Sequence, residues 1–90
     1  MQNRQKDEMI RDILISTNGG ATISKIMFRA YASYLQAKGY LRILIENELV
    51  EFDSLERKYR TTPKGMDYLS TIQGMSEMLK IPTKRFTKTL

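Results

Sequence analysis

The chain contains no histidine and no cysteine. Without them there is no Cys/His zinc site, no disulfide framework, no thiolate nucleophile and no imidazole base. An enzyme would have to work with carboxylates, Lys, Ser or Tyr alone. The available combinations, Asp67 with Glu77 or Lys38 with Tyr34, share no pocket-forming motif, and Asp67 and Glu77 stand nearly three helical turns apart. The chain therefore reads as non-enzymatic, with no cofactor and no metal. A cysteine-free chain suits an oxidising or a reducing space equally, so its redox compartment cannot be read. Long apolar runs are missing as well. The amino end, MQNRQKDEMIRD, is polar, and its longest apolar run is Ile13 to Ile15. Nothing approaches the roughly 20 apolar residues of a membrane span, so no signal peptide and no membrane partner is expected, and the expected address is cytoplasmic.

What is present is one small domain's worth of chain: 90 residues, 41% of them apolar. A fold of this size buries only about 60 to 65% of its unfolded surface. That builds one compact core with no buried substrate cavity, and a small-molecule ligand is not expected.

The formal charge of +5 arrives in blocks. Residues 1–20 cancel. Residues 21–45 hold Lys25, Arg29, Lys38 and Arg42 with no acid, whereas residues 46–56 hold Glu46, Glu48, Glu51, Asp53 and Glu56 with no base. Arg57, Lys58, Arg60 and Lys64 follow, and Lys80, Lys84, Arg85 and Lys88 outweigh Asp67 and Glu77 at the carboxyl end. A charge run is usually a solvated face. It points to a polyanionic partner only if folding gathers the basic blocks.

Hydrophobic spacing supplies the coarse structure. Met9, Ile10, Ile13 and Leu14 share one face of a helix from Arg4 to about Ser16, stopped by Asn18-Gly19-Gly20. Ala21 to Ile23 has room for a very short strand. Ile23, Ile26, Met27 and Ala30 then define a short second helix capped by Thr22 or Ser24. A break at Tyr31-Ala32-Ser33 is inferred from Ser33 as a cap and from a change of phase, because Ala37, Tyr40, Leu41 and Leu44 form a new face over 33–47. One continuous helix over 23–47 is the alternative. Leu49-Val50-Glu51-Phe52 and Lys58-Tyr59-Arg60-Thr61 read as a hairpin around a polar tip at 53–57. Thr62-Pro63 then starts a fourth helix with an apolar seam of Met66, Leu69, Ile72, Met75 or Ser76, and Leu79. Pro82 ends it. Residues 1–80 thus form one domain, and 81–90 a basic, flexible tail.

Three helices, a two-stranded hairpin and a fourth helix, with the second and third helices about three residues apart, is the order of a winged helix-turn-helix domain: mainly α, with a small β-hairpin. The run SKIMFRAYASYLQAKGYLRILIENELVEF, followed by YRTTPKGMDYL, resembles the small archaeal winged helix-turn-helix DNA-binding proteins of transcription-regulator or chromatin type. The likeness covers about residues 8–72. It is most specific over Ile26 to Ser33 and over Tyr59-Arg60-Thr61-Thr62-Pro63-Lys64-Gly65. The sequence departs from the family at Asn47-Glu48-Leu49, where a Gly is common before the strand, and at Ala32 and Gly39.

The resemblance implies double-stranded DNA as partner, with the third helix in the major groove and the wing on the adjacent backbone. From Ser33 onward that helix turns Leu35, Gln36, Lys38, Gly39 and Arg42 away from its buried side. Gln36 can pair with adenine, Arg42 with guanine or phosphate, and the bare Gly39 permits close approach to the groove. As an isolated stripe, Lys38 and Arg42 fit an ordinary solvated face equally well. In the frame of the fold, contact is the favoured reading. The wing offers Arg57, Lys58 and Arg60 for phosphates, and strand alternation lets only one set face DNA. On the fourth helix, Ile72, Met75, Ser76 and Leu79 can cover the domain's own core or a second copy; the resemblance implies a homodimer, its recognition helices roughly 34 Å apart. The competing function is a protein-interaction module whose acidic block meets a basic partner.

Overall fold

The computed structural model describes residues 6–73. Its elements run α1 (Lys6–Thr17), α2 (Ile23–Ala30), α3 (Tyr34–Glu46), β1 (Val50–Asp53) and β2 (Lys58–Thr61), followed by α4, described over 63–73. This is a winged helix-turn-helix. Arg4, Met75, Ser76, Leu79, Pro82 and the 81–90 segment lie outside the described residues.

The core follows the apolar spacing. Met9, Ile10, Ile13 and Leu14 of α1 are buried with Ile26 and Ala30 of α2 and with Ala37, Leu41 and Leu44 of α3. Tyr40, placed by its spacing on the same side, is only half-buried. Val50 and Tyr59 close the core from the wing and Leu69 from α4. Polar groups are drawn in only where partners wait. Thr17 bonds back to the Ile13 carbonyl at 2.9 Å, and its hydroxyl lies 2.7 Å from that of Thr61, which also reaches the Leu14 carbonyl at 2.7 Å. The base of the wing is thereby tied to the end of α1.

Caps set the helix boundaries. Gly19 and Gly20 take φ of 89° and 101° after α1, a region in which a glycine meets no Cβ clash. Thr22, not Ser24, caps α2 by accepting from the Lys25 N–H. The 23–47 segment is broken as expected, and the break is made by Tyr31 itself, in the left-handed region at φ 54° with its N–H on the Met27 carbonyl. Ser33 then opens α3 with a complete capping box: its hydroxyl accepts from the Gln36 N–H at 3.1 Å, and Gln36 Oε1 accepts from the Ser33 N–H at 3.0 Å.

At the other end of α3, the Leu49 N–H donates to the Leu44 carbonyl at 2.8 Å and the Glu48 N–H to Ile45 at 2.9 Å. These are the paired bonds of a Schellman ending, with Leu49 and Leu44 buried beneath them. The left-handed residue is Glu48, φ 64°, at the place where the related pattern carries glycine. Because that ending consumes Leu49, β1 begins one residue later than its apolar run suggests.

The strands pair antiparallel in the register Val50↔Thr61, Glu51↔Arg60, Phe52↔Tyr59 and Asp53↔Lys58. Ala21 adds a single bridge to Tyr59, with bonds of 2.9 and 2.8 Å, which is all that forms of the short strand expected at 21–23. Thr62 caps α4 through the Gly65 N–H at 2.9 Å. A Cβ at Gly65 would collide with the Leu49 carbonyl oxygen and meet Thr61 Cγ2 at 2.7 Å, so the Thr-x-x-Gly entry to α4 reflects the close seat of that helix on the β1 lead-in.

Candidate nucleic-acid interface

The capping box and the Schellman ending fix both ends of α3, so its exposed side is set by the burial of Ala37, Leu41 and Leu44. Ser33, Leu35, Gln36, Lys38, Gly39 and Arg42 are all exposed. A Cβ at Gly39 would meet nothing within 4 Å, so the glycine marks open surface and no internal contact requires it.

Lys38 leans toward the wing. Its Nζ donates to the Tyr59 hydroxyl at 3.0 Å and stands 5.7 Å from the centre of that ring and 5.9 Å from that of Tyr34, one turn earlier on α3. The hydrogen bond to Tyr59 raises the Lys38 pKa above its ordinary value, and the electrostatic attraction between the two groups adds to the effect. The ammonium is thereby aimed at the wing. Phe52 supports Tyr59 from the wing, ring centres 4.7 Å apart. Between α3 and the wing runs an open groove of about 290 Å³ lined by Lys38, Leu41, Arg42, Ile45, Glu46 and Tyr59. Arg42 has no ion-pair partner among the described residues. Glu46, the last residue of α3, lines the same groove as the two cations, because it lies one turn beyond Arg42 on the same side.

On the wing the register decides which cations share a face. Val50, Phe52, Tyr59 and Thr61 lie on the core side; Glu51, Asp53, Lys58 and Arg60 lie on the other. Lys58 and Arg60 therefore form the outward pair, among carboxylates. Arg60 reaches Asp53 at 3.3 Å, Glu56 at 3.1 Å and the Gly19 carbonyl at 3.3 Å, and Lys58 lies 4.0 Å from Glu56. Asp53 also accepts the Leu55 and Glu56 N–H groups at 2.9 and 3.2 Å, which folds the tip. The Glu56 N–H is the first cause, and Arg60 the second, of an Asp53 pKa held below the usual aspartate value. Arg57 takes the left-handed conformation, φ 56°, and is exposed with no ion pair among the described residues.

The structure thus brings Lys38 and Arg42 into one groove with Tyr59, places Lys58 and Arg60 on the outer face of the wing, and leaves Arg57 at its tip. Gln36 and Ser33 are occupied with each other. A bidentate pair with adenine needs both ends of the glutamine amide, so it competes with the cap. Ile72, the one expected dimer residue among those described, is half-buried on α4. Sequence reasoning passed over Tyr34 and Tyr59 as the supports of Lys38. It also passed over Phe28 and Tyr31, 80% and 84% exposed; the interleaving of Lys25, Phe28 and Arg29 at helical spacing was the available signal. No group of His, Cys, Asp and Glu able to hold a metal ion occurs among the described residues, and no helix among them is long and apolar enough to cross a membrane.

Comparison with known proteins agrees with this architecture. The crystal structure of Sso10a-2, a DNA-binding protein from Sulfolobus solfataricus, superposes with a TM-score of 0.67 at 22% identity, over 97% of each chain. No curated protein matches. A family model described as winged helix-turn-helix matches residues 3–80, and the chain belongs to that winged helix-turn-helix family.

Proposed function

We propose that the protein binds double-stranded DNA, with α3 in the major groove and the wing along the neighbouring backbone, and that it acts in the cytoplasm as a transcription regulator without catalysis. The observation that carries this reading is the groove between α3 and the wing, where Lys38 is held by Tyr59 and Arg42 has no ion-pair partner among the described residues. The likeness of the whole fold to a DNA-binding protein supports it. Within it, Lys38 and Arg42 meet phosphates or guanine, Gly39 lets the backbone approach, and Leu35 touches the groove wall. Gln36 offers only its amide N–H groups while Ser33 is capped. Arg57 and Lys58 hold phosphates, and Arg60 joins them by leaving its carboxylates. A homodimer through Ile72, Met75, Ser76 and Leu79 sets two such units side by side.

The interaction-module alternative draws on the acidic 46–56 block. Two of those carboxylates, Asp53 and Glu56, already hold Arg60, which leaves less of the block for a basic partner. Selection of bound sequences from a random duplex pool, repeated at two salt concentrations, tests the proposal. A recovered motif marks a regulator. Steep salt dependence without a motif replaces regulation with packaging, and no retained duplex at either salt overturns DNA binding.

A further inference from the structure

The groove between α3 and the wing leaves unexplained a second surface, on α2 and the turn after it. Lys25, Phe28 and Arg29 stand at i, i+3 and i+4 on α2, so they are neighbours on one helical face, and Tyr31, the left-handed C-cap, follows three residues after Phe28. The rings of Phe28 and Tyr31 are 80% and 84% exposed. Neither touches another ring among the described residues, and neither cation has an ion-pair partner there. Residues 21–45 contain no acid at all, so α2 and the turn after it contribute no carboxylate of their own to this surface. None of these four residues lines the groove that holds Lys38 and Arg42.

Large aromatic faces left in water beside unpaired cations fit a ligand that presents flat apolar plates on an anionic chain. In duplex DNA the plates are stacked on one another and out of reach. In single-stranded DNA they are free. A protein side chain could cover the rings, but it would leave Lys25 and Arg29 uncompensated unless it were acidic, whereas an unpaired strand supplies both the base and the phosphate at the spacing of one nucleotide.

We infer that the α2 face formed by Lys25, Phe28, Arg29 and Tyr31 binds single-stranded DNA, stacking bases on Phe28 and Tyr31 and pairing phosphates with Lys25 and Arg29. This is an activity additional to the duplex binding proposed above, and it does not depend on α3 entering a groove. A protein with both surfaces can hold a duplex and an opened strand beside it.

The test compares a fluorescently labelled twelve-nucleotide oligothymidylate and a duplex, by anisotropy, on the full chain. Phe28→Ala combined with Tyr31→Gly is the informative variant. Tyr31 sits at φ 54°, which glycine adopts without strain, and Phe28 buries little, so the melting temperature should hold. Oligothymidylate affinity should drop by about tenfold or more, with duplex affinity within about twofold of the parent. Lys25→Gln combined with Arg29→Gln keeps the rings and should lower the slope of log K against log salt by about 1.4 on the single strand, at about 0.7 per phosphate; this second variant decides the matter should the first fail to fold. Unchanged oligothymidylate binding in both variants overturns the inference. So does an equal loss on the duplex, which would make the patch part of the duplex site, or tighter binding of oligouridylate, which would make RNA the ligand. Loss of self-association on ring removal without loss of strand binding would assign the face to a second copy and also overturn it. Lys38→Ala with Arg42→Ala separates the two readings: it should weaken duplex binding by about tenfold or more and spare the single strand, and an unaffected duplex would sink the groove proposal alone.

Discussion

Lys38 and Arg42 on α3 and Lys58 and Arg60 on β2 look alike in sequence: each is a pair of cations spaced to share one face of its element. Their surroundings differ. On α3 the nearest anchor is the Tyr59 hydroxyl, not a carboxylate, and the charge stays available. On the wing Arg60 is divided between Asp53, Glu56 and the Gly19 carbonyl. The lesson is that the charge of a segment counts side chains, while the charge offered to a partner counts what remains after the fold has paired them. An exchange of Asp53 and Glu56 for DNA phosphates is close to even for Arg60, since exposed ion pairs are worth about 0–1 kcal/mol. A phosphate at Arg42 displaces no ion pair among the described residues.

The contrast can be broken in several ways. Lys38→Ala with Arg42→Ala should weaken duplex binding by about tenfold or more at moderate salt and flatten the salt slope by about 1.8; an unchanged gel-shift titration would remove α3 from the interface. Tyr59→Phe keeps the ring and the core but frees Lys38, and a loss of about threefold in duplex affinity is expected, with the melting temperature little changed. A loss as large as that of the double variant would mean that positioning matters more than charge. Arg60→Ala should cost the duplex less than about threefold, because that side chain is already spoken for. If it costs as much as the α3 pair, the wing and not the helix carries the charge. Glu56→Gln should work in reverse, freeing Arg60 and raising affinity by about twofold.

The smallest expected effect is on pH. Asp53 has its folded pKa depressed, so its contribution to stability is present above the ordinary aspartate value of roughly 3.9 and is lost as pH falls through the lowered folded value. Asp53→Asn keeps an acceptor for the Leu55 and Glu56 N–H groups and removes the titration. Thermal melts from pH 6 down to 3 should therefore show less acid sensitivity in that variant than in the parent. Equal sensitivity would assign the acid response to other carboxylates.

Much of the fold was legible because its signals are local. The apolar spacing of α1, Ser33 as the start of α3, and Thr62-Pro63 before α4 each act within a turn of chain. Ser33-x-x-Gln36 was legible too, as a capping box, although the glutamine drew attention as a base contact instead. What resisted were the places where conformation carries no residue signature. Tyr31, Glu48 and Arg57 hold the left-handed region without being glycine, so the end of α2 and the offset of β1 had no composition cue. The site was harder still. Lys38 meets Tyr59 across 21 positions, and Arg60 meets Asp53 only in one register of the hairpin, so the first pairing exists only after the wing has docked and the second only after the hairpin has closed.

Tyr59 joins several of these threads. Its backbone pairs with Ala21, its ring fills the core beside Phe52, and its hydroxyl holds Lys38. One residue therefore fixes the separation between α3 and the wing, and the protein presents a gauge of set width. In the complex proposed above, a groove too wide or too narrow for that gauge would take the deformation itself, and discrimination among sites would then include the stiffness of the DNA at base pairs that no side chain reaches.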